Sequence, residues 1–237
     1  MRNLFCIGGG ELKNHTTLKL DEVLINKAKE HAKGNRPYAL FIPTASHDFM
    51  PYYNTFHKVY TGIFNVKTDV ALTVFHEVNK EKLSMKFQKA DLIYIGGGDT
   101  VFMIDSWKKT GLIDLIKDAY ERGVIIAGLS AGAIFAFEKI YTDSLKKEDS
   151  SCPYDMYEGL GWIKGVVSPH YDERLNDFDE IIKMNYLEAY GIENDSMIEI
   201  VDEQIVASYS SNYKNAYLIK NIEGNLKKEI VKERIIL

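Results

Sequence analysis

The segment GVIIAGLSAGAIFAF, residues 123–137, runs from one apolar stretch into a second through Gly-Leu-Ser-Ala-Gly. The first stretch is typical of a buried strand and the second of a helix, so Ser130 lies alone at a strand-to-helix turn. Gly128 and Gly132 stand two residues before and two after it, where side chains would collide in a tight turn. This Gly-x-Ser-x-Gly pattern predicts that Ser130 is held out at the tip of the turn. The alternative is that Ser130 only caps the helix.

Outward from this turn, short runs rich in Ile, Val, Phe and Tyr alternate with longer segments of helical period. The predicted strands are 3–7, 38–43, 70–75, 91–95 and 124–129. The predicted helices lie near 17–33, 50–62, 79–89, 100–109, 112–122 and 131–140. This alternation predicts a three-layer α/β fold, in which a mostly parallel sheet has helices on both faces.

The later part of the chain has a different pattern. A long amphipathic helix is predicted near 173–190, and mixed strands follow it. The segments that predict those strands are MIEIV, QIVASYS, NAYLIK and the C-terminal EIVKERIIL. The polar stretch 142–158 predicts a surface loop beside a site. No repeat or linker interrupts the chain, so we expect one domain over residues 1–237.

Composition excludes several classes of protein. The net charge of -5 and the isoelectric point near 5.7 argue against nucleic acid or an anionic membrane as the main partner. Cys6 and Cys152 are too few for a disulfide framework and lack the spacing of metal ligands. No signal-peptide core or membrane-spanning run is found, so a cytoplasmic protein is expected. Both a monomer and a homodimer remain open.

Three glycine-containing loops follow predicted strands, where ligands bind in parallel α/β sheets. They are GGGEL at 8–12, GGGDT at 96–100 and GLSAG at 128–132. The first two do not complete the dinucleotide pattern Gly-x-Gly-x-x-Gly, because the last position is Lys13 in one and Val101 in the other. The loops therefore favour a site other than a dinucleotide site.

A serine nucleophile needs a base, which is normally a histidine within hydrogen-bond reach. His170, in GVVSPHYDER, is the only histidine after Ser130, and it follows an apolar run that would end at the same edge of the sheet. We expect it to be the base. His47, in IPTASHD, lies at that edge too and is a candidate substrate contact. The other histidines are expected to lie at the surface or to be satisfied locally: His15, His31, His57 and His76.

Acyl transfer also requires hydrogen-bond donors for the negative charge that develops on the carbonyl oxygen. In an elbow, the backbone N–H after the serine is one donor, which here is that of Ala131. The glycine loop after the fourth predicted strand lets backbone approach a substrate closely, and Gly98 is our choice for the second donor. Asp99 or Thr100 is expected to cap the following helix.

Taken in order, YIGGGDT, GLSAGA and SPHYDER resemble the dipeptidase E (peptidase E) family of serine peptidases, which includes the cyanophycinases. IGGGE, IPTAS, TDS (142–144) and GLG (159–161) extend the resemblance over most of the chain. It implies a class I glutamine-amidotransferase-like, flavodoxin-like fold, with Ser130 as nucleophile, His170 as base, and Gly98 with Ala131 as oxyanion hole. It also implies hydrolysis of small peptides without a metal or an organic cofactor.

In that family an acid downstream of the histidine orients the imidazole. The matching region is GIENDSMIEIV, in which Glu193 is the first choice and Asp195 the second. A shift of one residue in the alignment would place Asn194 there instead. Asp143, in the TDS loop, is a further candidate.

The named member of the family cleaves dipeptides that begin with Asp, and such a substrate requires a nearby cation. Arg174 is a candidate clamp for that carboxylate, although it could pair instead with Asp172 or Asp177. Asp99 is a second candidate for substrate binding. Tyr154, Tyr157 and Tyr171 could form the walls of a pocket or pack in the core.

Two other classes of function remain open. One is a non-catalytic protein that binds a small ligand on the same fold. The other is an esterase or amidase of the α/β-hydrolase type, in which the acid precedes the histidine in sequence. That second alternative requires an essential Asp143 or Asp155 and an indifferent Glu193.

Overall fold

The structure is a computed structural model that describes residues 1–75, 79–148 and 151–234. His76 lies outside the described residues, as do two residues of the predicted polar loop and the last three of the chain. In the described part, the strands are β1 (Asn3–Ile7), β2 (Tyr38–Ile42), β3 (Lys67–Val70), β4 (Leu92–Ile95), β5 (Ile125–Leu129), β6 (Phe137–Thr142), β7 (Asp155–Glu158), β8 (Ile163–Ser168), β9 (Glu188–Ile192), β10 (Ser196–Val201), β11 (Gln204–Ser210), β12 (Ala216–Ile222), β13 (Asn225–Ile230) and β14 (Glu233–Arg234). The helices are α1 (Leu18–His31), α2 (Met50–Gly62), α3 (Lys80–Lys89), α4 (Thr100–Thr110), α5 (Leu112–Glu121), α6 (Ala131–Ile134), α7 (Ser144–Glu148) and α8 (Tyr171–Asn185).

The first sheet has the strand order β14-β11-β10-β1-β5-β4-β2-β3. Its centre, from β1 to β3, is parallel, and β10 and β11 add antiparallel strands on the other side of β1. Successive residues of its strands enter two different cores: Phe5 packs with α1 and α2, whereas Cys6 packs with α3, α4 and α5. Helices therefore cover both faces, and the predicted α/β fold with a mostly parallel sheet is confirmed.

A second sheet has the order β13-β12-β9-β8-β6-β7 and is mixed. Its residues Ile140, Val167 and Ile192 share one core with the first sheet. The prediction of mixed strands near the C-terminus is confirmed, although those strands are divided between the two sheets.

The helix predicted at 131–140 is wrong beyond its first turn, because α6 ends at Ile134 and β6 begins at Phe137. Backbone bonds from Leu160 to Phe135 and from Ile163 to Ala136 draw this segment into the second sheet. An apolar run of this length fits a helix and a buried strand equally well, so periodicity alone does not separate them.

Several other strands and helices begin or end at residues different from those predicted. The strand predicted at 70–75 lies earlier, at β3, and its polar residues suit an edge strand of the first sheet. The long helix predicted to 190 ends at Asn185, and β9 takes up the remaining residues. The polar stretch 142–158 contains α7 and β7. Across the ranges that the structure describes, no helix combines the length and apolar character needed to cross a membrane.

Candidate active site

Ser130 occupies the turn between β5 and α6 with φ 54° and ψ −112°, a backbone conformation that is strained for a residue with a side chain. Its N–H donates to the carbonyl of Ile7 at 2.9 Å, and its carbonyl accepts from Ala133 at 2.9 Å. The side chain makes no capping bond to α6. The hydroxyl of Ser130 therefore does not cap this helix.

The two glycines of the pattern are required by close backbone contacts. A Cβ atom on Gly128 would collide with the carbonyl of Gly132, and one on Gly132 would collide with the carbonyl of Ile95. The turn therefore packs backbone against backbone between β4 and β5, which leaves no room for larger residues.

His170 lies at the start of α8, directly after β8, in the left-handed conformation (φ 48°, ψ 41°). Its backbone N–H donates to the carbonyl of Gly8 at 3.0 Å, which ties the residue to the end of β1. The ring atom Nε2 lies 2.8 Å from Oγ of Ser130. The structure brings together the two residues that the sequence paired across 40 positions.

Asn194, in the turn between β9 and β10, bonds to the other ring nitrogen. Its Oδ1 atom lies 2.7 Å from Nδ1 of His170. Its Nδ2 atom donates to Glu173 at 2.7 Å and to Asp172 at 3.2 Å. Because both amide hydrogens are directed at carboxylates, the oxygen is the atom that faces the ring.

The expectation that Glu193 contacts the imidazole is wrong. Its carboxylate accepts the backbone N–H of Asn215 at 2.8 Å. Asp195 accepts from Thr16 at 2.6 Å, and Asp143 lies 3.5 Å from the guanidinium of Arg174. The tight turn sends consecutive side chains in different directions, and its register is set by the bond from the N–H of Asp195 to Gly9 at 3.0 Å.

The sequence contained one signal for Asn194, its position between two acids just before a predicted strand. An amide oxygen accepts a hydrogen bond as a carboxylate does, so residue type alone did not separate the three neighbours.

Burial lowers the pKa of His170 below the ordinary histidine value, and the positive charge of Arg174 lowers it further. The bond to Asn194 and the charges of Glu173 and Asp143 act in the opposite direction without outweighing these effects. The imidazole is therefore neutral near pH 7. In the tautomer with hydrogen on Nδ1, Nε2 is free to accept the proton of Ser130.

Gly98 and Ala131, the two residues expected to form the oxyanion hole, belong to the two loops that meet at Ser130. The neighbouring Gly97 lies against Cβ of Ser130, and the N–H of Gly97 is taken by the hydroxyl of Tyr52 at 3.3 Å. Gly98 has φ 144°, and a Cβ atom there would collide with the carbonyl of Ala45. Over the described ranges, the N–H groups of Gly98 and Ala131 donate to no protein acceptor.

Arg174 is almost completely buried. Its side chain is only 4% exposed; one terminal nitrogen donates to the carbonyl of Tyr141 at 3.1 Å, and the other faces Asp143. The ring of Tyr154 covers the guanidinium at 4.8 Å. The expectation of a surface pair with Asp172 or Asp177 is therefore wrong, because the guanidinium is buried against Asp143. The same burial leaves little exposed surface for the expected substrate clamp.

Two cavities are lined by residues of the loops that surround Ser130 and His170. The first, of about 500 Å³, has a mainly apolar lining that includes Leu12, Phe49 and Tyr52, but the charged residues Glu11 and Lys13 line it as well. The second, of about 390 Å³, is more polar and brings together three of the predicted contacts, His47, Asp99 and Tyr157. Asp99 also caps α4 by accepting the N–H of Phe102 at 3.0 Å, as expected. Tyr171 is fully buried and forms no pocket wall.

The fold and the Ser130–His170 geometry define the chain as an α/β protein of the serine-hydrolase class. The model of peptidase family S51 matches residues 4–207, and the chain belongs to that family. The resemblance to the dipeptidase E family is thus confirmed, and the protein is a peptidase.

The relatives are consistent with this assignment. The peptidase YgaJ of Bacillus subtilis, itself described as uncharacterized, is 29% identical over 89% of this chain and 88% of its own length. Peptidase E of Streptomyces coelicolor is 24% identical over 78% of this chain and 82% of its own. The crystal structure of a peptidase from an acI-B1 Actinobacterium superimposes with a TM-score of 0.69 at 19% identity, covering 98% of this chain and 95% of that one. This last likeness supports the class I glutamine-amidotransferase-like fold.

Proposed function

We propose that this peptidase hydrolyses small peptides with Ser130 as nucleophile, His170 as general base and acid, and Asn194 as the residue that orients the imidazole. The observation that carries the proposal is the chain of contacts from Oγ of Ser130 through both ring nitrogens to the amide oxygen of Asn194, at 2.8 and 2.7 Å. Each atom in this chain has the donor or acceptor character that proton transfer from the serine requires.

The reaction follows from these contacts. Nε2 of His170 takes the proton of Ser130 as Oγ attacks the peptide carbonyl, and the oxyanion forms against the N–H groups of Gly98 and Ala131. The C–N bond then breaks, and the imidazolium gives its proton to the leaving amine. Water repeats the sequence: its proton goes to His170, its oxygen bonds to the acyl carbon, and the proton returns to Oγ as the acid product leaves.

The first cavity, defined by Leu12, Phe49 and Tyr52, is proposed to receive a side chain of the substrate. Tyr52 contacts the glycine loop that lies on Ser130. The apolar residues of this cavity suit an uncharged side chain, whereas Lys13 on the same lining suits an acidic one, and the peptide panel below compares the two. The hypothesis of an Asp-leading substrate receives no support from Arg174, because that guanidinium is paired inside the protein.

A fluorophosphonate probe and a dipeptide panel test the proposal together. The panel compares Asp-, Asn- and Glu-leading dipeptides with Leu- and Phe-leading ones. Wild type should be labelled and release free amino acid, whereas Ser130→Ala should do neither. Ser84→Ala, a change on the distant helix α3, is the matched control. Absence of both labelling and turnover in wild type would favour the non-catalytic binding protein instead.

An esterase of the ordinary α/β-hydrolase type receives no support from the geometry. That class needs an acid between residues 130 and 170 on Nδ1, but Nδ1 is bonded to Asn194. Asp143 faces Arg174, and Asp155 accepts the backbone N–H of Met156 at 2.7 Å. Loss of activity in Asp155→Asn would reopen this alternative.

A further inference from the structure

Two carboxylates accept hydrogen bonds from the amide nitrogen of Asn194, whose oxygen faces His170. Asp172 accepts the backbone N–H of Asn194 at 3.0 Å as well as its Nδ2 at 3.2 Å, and Glu173 accepts Nδ2 at 2.7 Å. Both acids belong to the first turn of α8, directly after His170. One helix start thus supplies the imidazole and also the groups that fix its hydrogen-bond partner.

This arrangement matters because an asparagine amide can rotate and exchange its two ends. A flipped Asn194 would present its NH₂ group to Nδ1 of His170, which would favour the tautomer with hydrogen on Nε2. That tautomer cannot accept the proton of Ser130. The flip would also turn the amide oxygen toward two carboxylates and lose both of their hydrogen bonds, each of them charge-assisted.

Asp172 is itself held in its charged form. Burial acts to raise its pKa, but the bonds from Lys214 at 2.8 Å and from Asn194 outweigh burial and keep the pKa below its ordinary value. Glu173 is more exposed, with 61% of its side chain accessible, and its Oε1 lies 3.9 Å from Nδ1 of His170. At this distance its negative charge can stabilise the imidazolium through space.

We infer that Asp172 and Glu173 are positioning residues that hold the amide of Asn194 with its oxygen toward His170 and so form an amide lock. Their negative charge, which acts on His170 without a direct hydrogen bond, replaces the charge that an acid on Nδ1 would otherwise provide. The catalytic part of this inference rests on the proposed function. The part that concerns the tautomer of His170 does not.

Nitrogen-15 NMR of histidine-labelled protein tests the lock directly. The signals of His170 are identified by their loss in His170→Gln. In wild type at pH above the titration of the ring, Nδ1 should carry the hydrogen and Nε2 should not. In the double variant Asp172→Asn/Glu173→Gln, the preference should weaken or reverse, because neutral amides can accept or donate and no longer oppose the flip. Glu180→Gln, an exposed acid on the same helix, should leave the tautomer as in wild type.

Kinetics supply the second readout. Glu173→Gln keeps an acceptor but removes the charge, so the pKa of His170 seen in kcat/KM should fall. The double variant should lose about 100-fold in kcat/KM, less than the roughly 10⁴-fold caused by the wrong tautomer in a Ser-His-Asp triad. If Asp172→Asn fails to fold, Glu173→Gln alone retains both measurements.

The outcomes separate the two proposals. An unchanged tautomer and pH profile in Glu173→Gln and the double variant overturns the lock, whatever the activity of wild type. Wild type that neither labels nor turns over, but in which the tautomer responds to the variants, overturns the proposed function and leaves the lock supported.

Discussion

The side-chain oxygen of Asn194 lies 2.7 Å from Nδ1 of His170, at the place where a Ser-His-acid triad has a carboxylate. An amide fixes the tautomer as an acid does, but it carries no charge to offset the imidazolium. The electrostatic balance of the site therefore depends on groups further out, chiefly Glu173, Asp143 and Arg174.

Removal of the amide should damage turnover more than binding. We expect Asn194→Ala to lower kcat by roughly 10²-fold with little change in KM, because the imidazole loses its orientation and tautomer while the cavities remain. Asn54→Ala, on the exposed side of α2, is the control. Steady-state kinetics on the best dipeptide would contradict this if both variants matched wild type.

A carboxylate at position 194 should move the pH profile. We expect Asn194→Asp to raise the pKa of His170, because a negative charge next to Nδ1 favours the imidazolium. The acid limb of kcat/KM should then shift to higher pH than in wild type. A limb that does not move, in a variant that is folded and active, would show that His170 is not the titrating base.

Wild type should itself work at mildly acidic pH. Burial and the charge of Arg174 lower the pKa of His170 below the ordinary histidine value of about 6.5. The ring therefore stays neutral, and able to act as a base, at pH values somewhat below 6.5. A kcat/KM profile from pH 4.5 to 8 should fall only below that value. A fall centred above pH 7 would contradict the burial of the ring.

The elbow should tolerate no larger residue. Gly128→Ala places a methyl group against the carbonyl of Gly132, and we expect a loss of about 3 kcal/mol in the free energy of unfolding. Gly62→Ala, in open space at the end of α2, should be neutral or slightly stabilising. Urea denaturation of both variants measures the difference, and equal stabilities would count against this backbone packing.

Asp21 should make stability depend on pH. Its carboxylate is fully buried; burial raises its pKa to about 6, although hydrogen bonds from Tyr60 and Thr17 oppose the shift. The folded pKa is above the unfolded one, so between about pH 4 and 6 the folded state binds more protons and stability falls as pH rises. The loss approaches about 3 kcal/mol for a shift of this size.

Asp21→Asn removes this titration. Denaturant midpoints of the variant and wild type should therefore be compared at pH 4.5 and 7. At the higher pH, wild type should lose stability relative to the variant, so the difference between the two midpoints should change. A constant difference between the two proteins would show that Asp21 does not titrate in this range.

The first cavity should decide which peptides are cleaved. Phe49, 58% exposed at the start of α2, contributes an aromatic wall, so Phe49→Ala should raise KM for Leu- and Phe-leading peptides by about 10-fold and change it little for Gly-leading ones. Phe75→Ala alters another exposed phenylalanine and should have no effect. A uniform change across all peptides would point to a structural role for Phe49.

Much of the fold and of the site was predictable from the chain. The parallel strands β1, β2, β4 and β5 are continuous apolar runs, which is the pattern of a sheet buried on both faces. Ser130 was recognisable from its flanking glycines. His170 was recognisable as the only histidine after Ser130 in the sequence, at the end of an apolar run. The helix predicted at 131–140 was wrong beyond its first turn, because the same apolar residues suit a strand once a second sheet is present to pair with them.

The sequence by itself determined the tight turn at Ser130, because only glycine fits at positions 128 and 132, where backbone packs against backbone. It also determined the α/β class, through the alternation of apolar runs with segments of helical period. Tertiary structure alone decided which of three adjacent polar residues, Glu193, Asn194 or Asp195, meets His170. That choice depends on the direction of one side chain in a tight turn, which hydrogen bonds to Gly9, Asp172 and Asn215 set. It also decided that Arg174 is buried against Asp143, since burial is a property of the packed chain and is not carried by residue type.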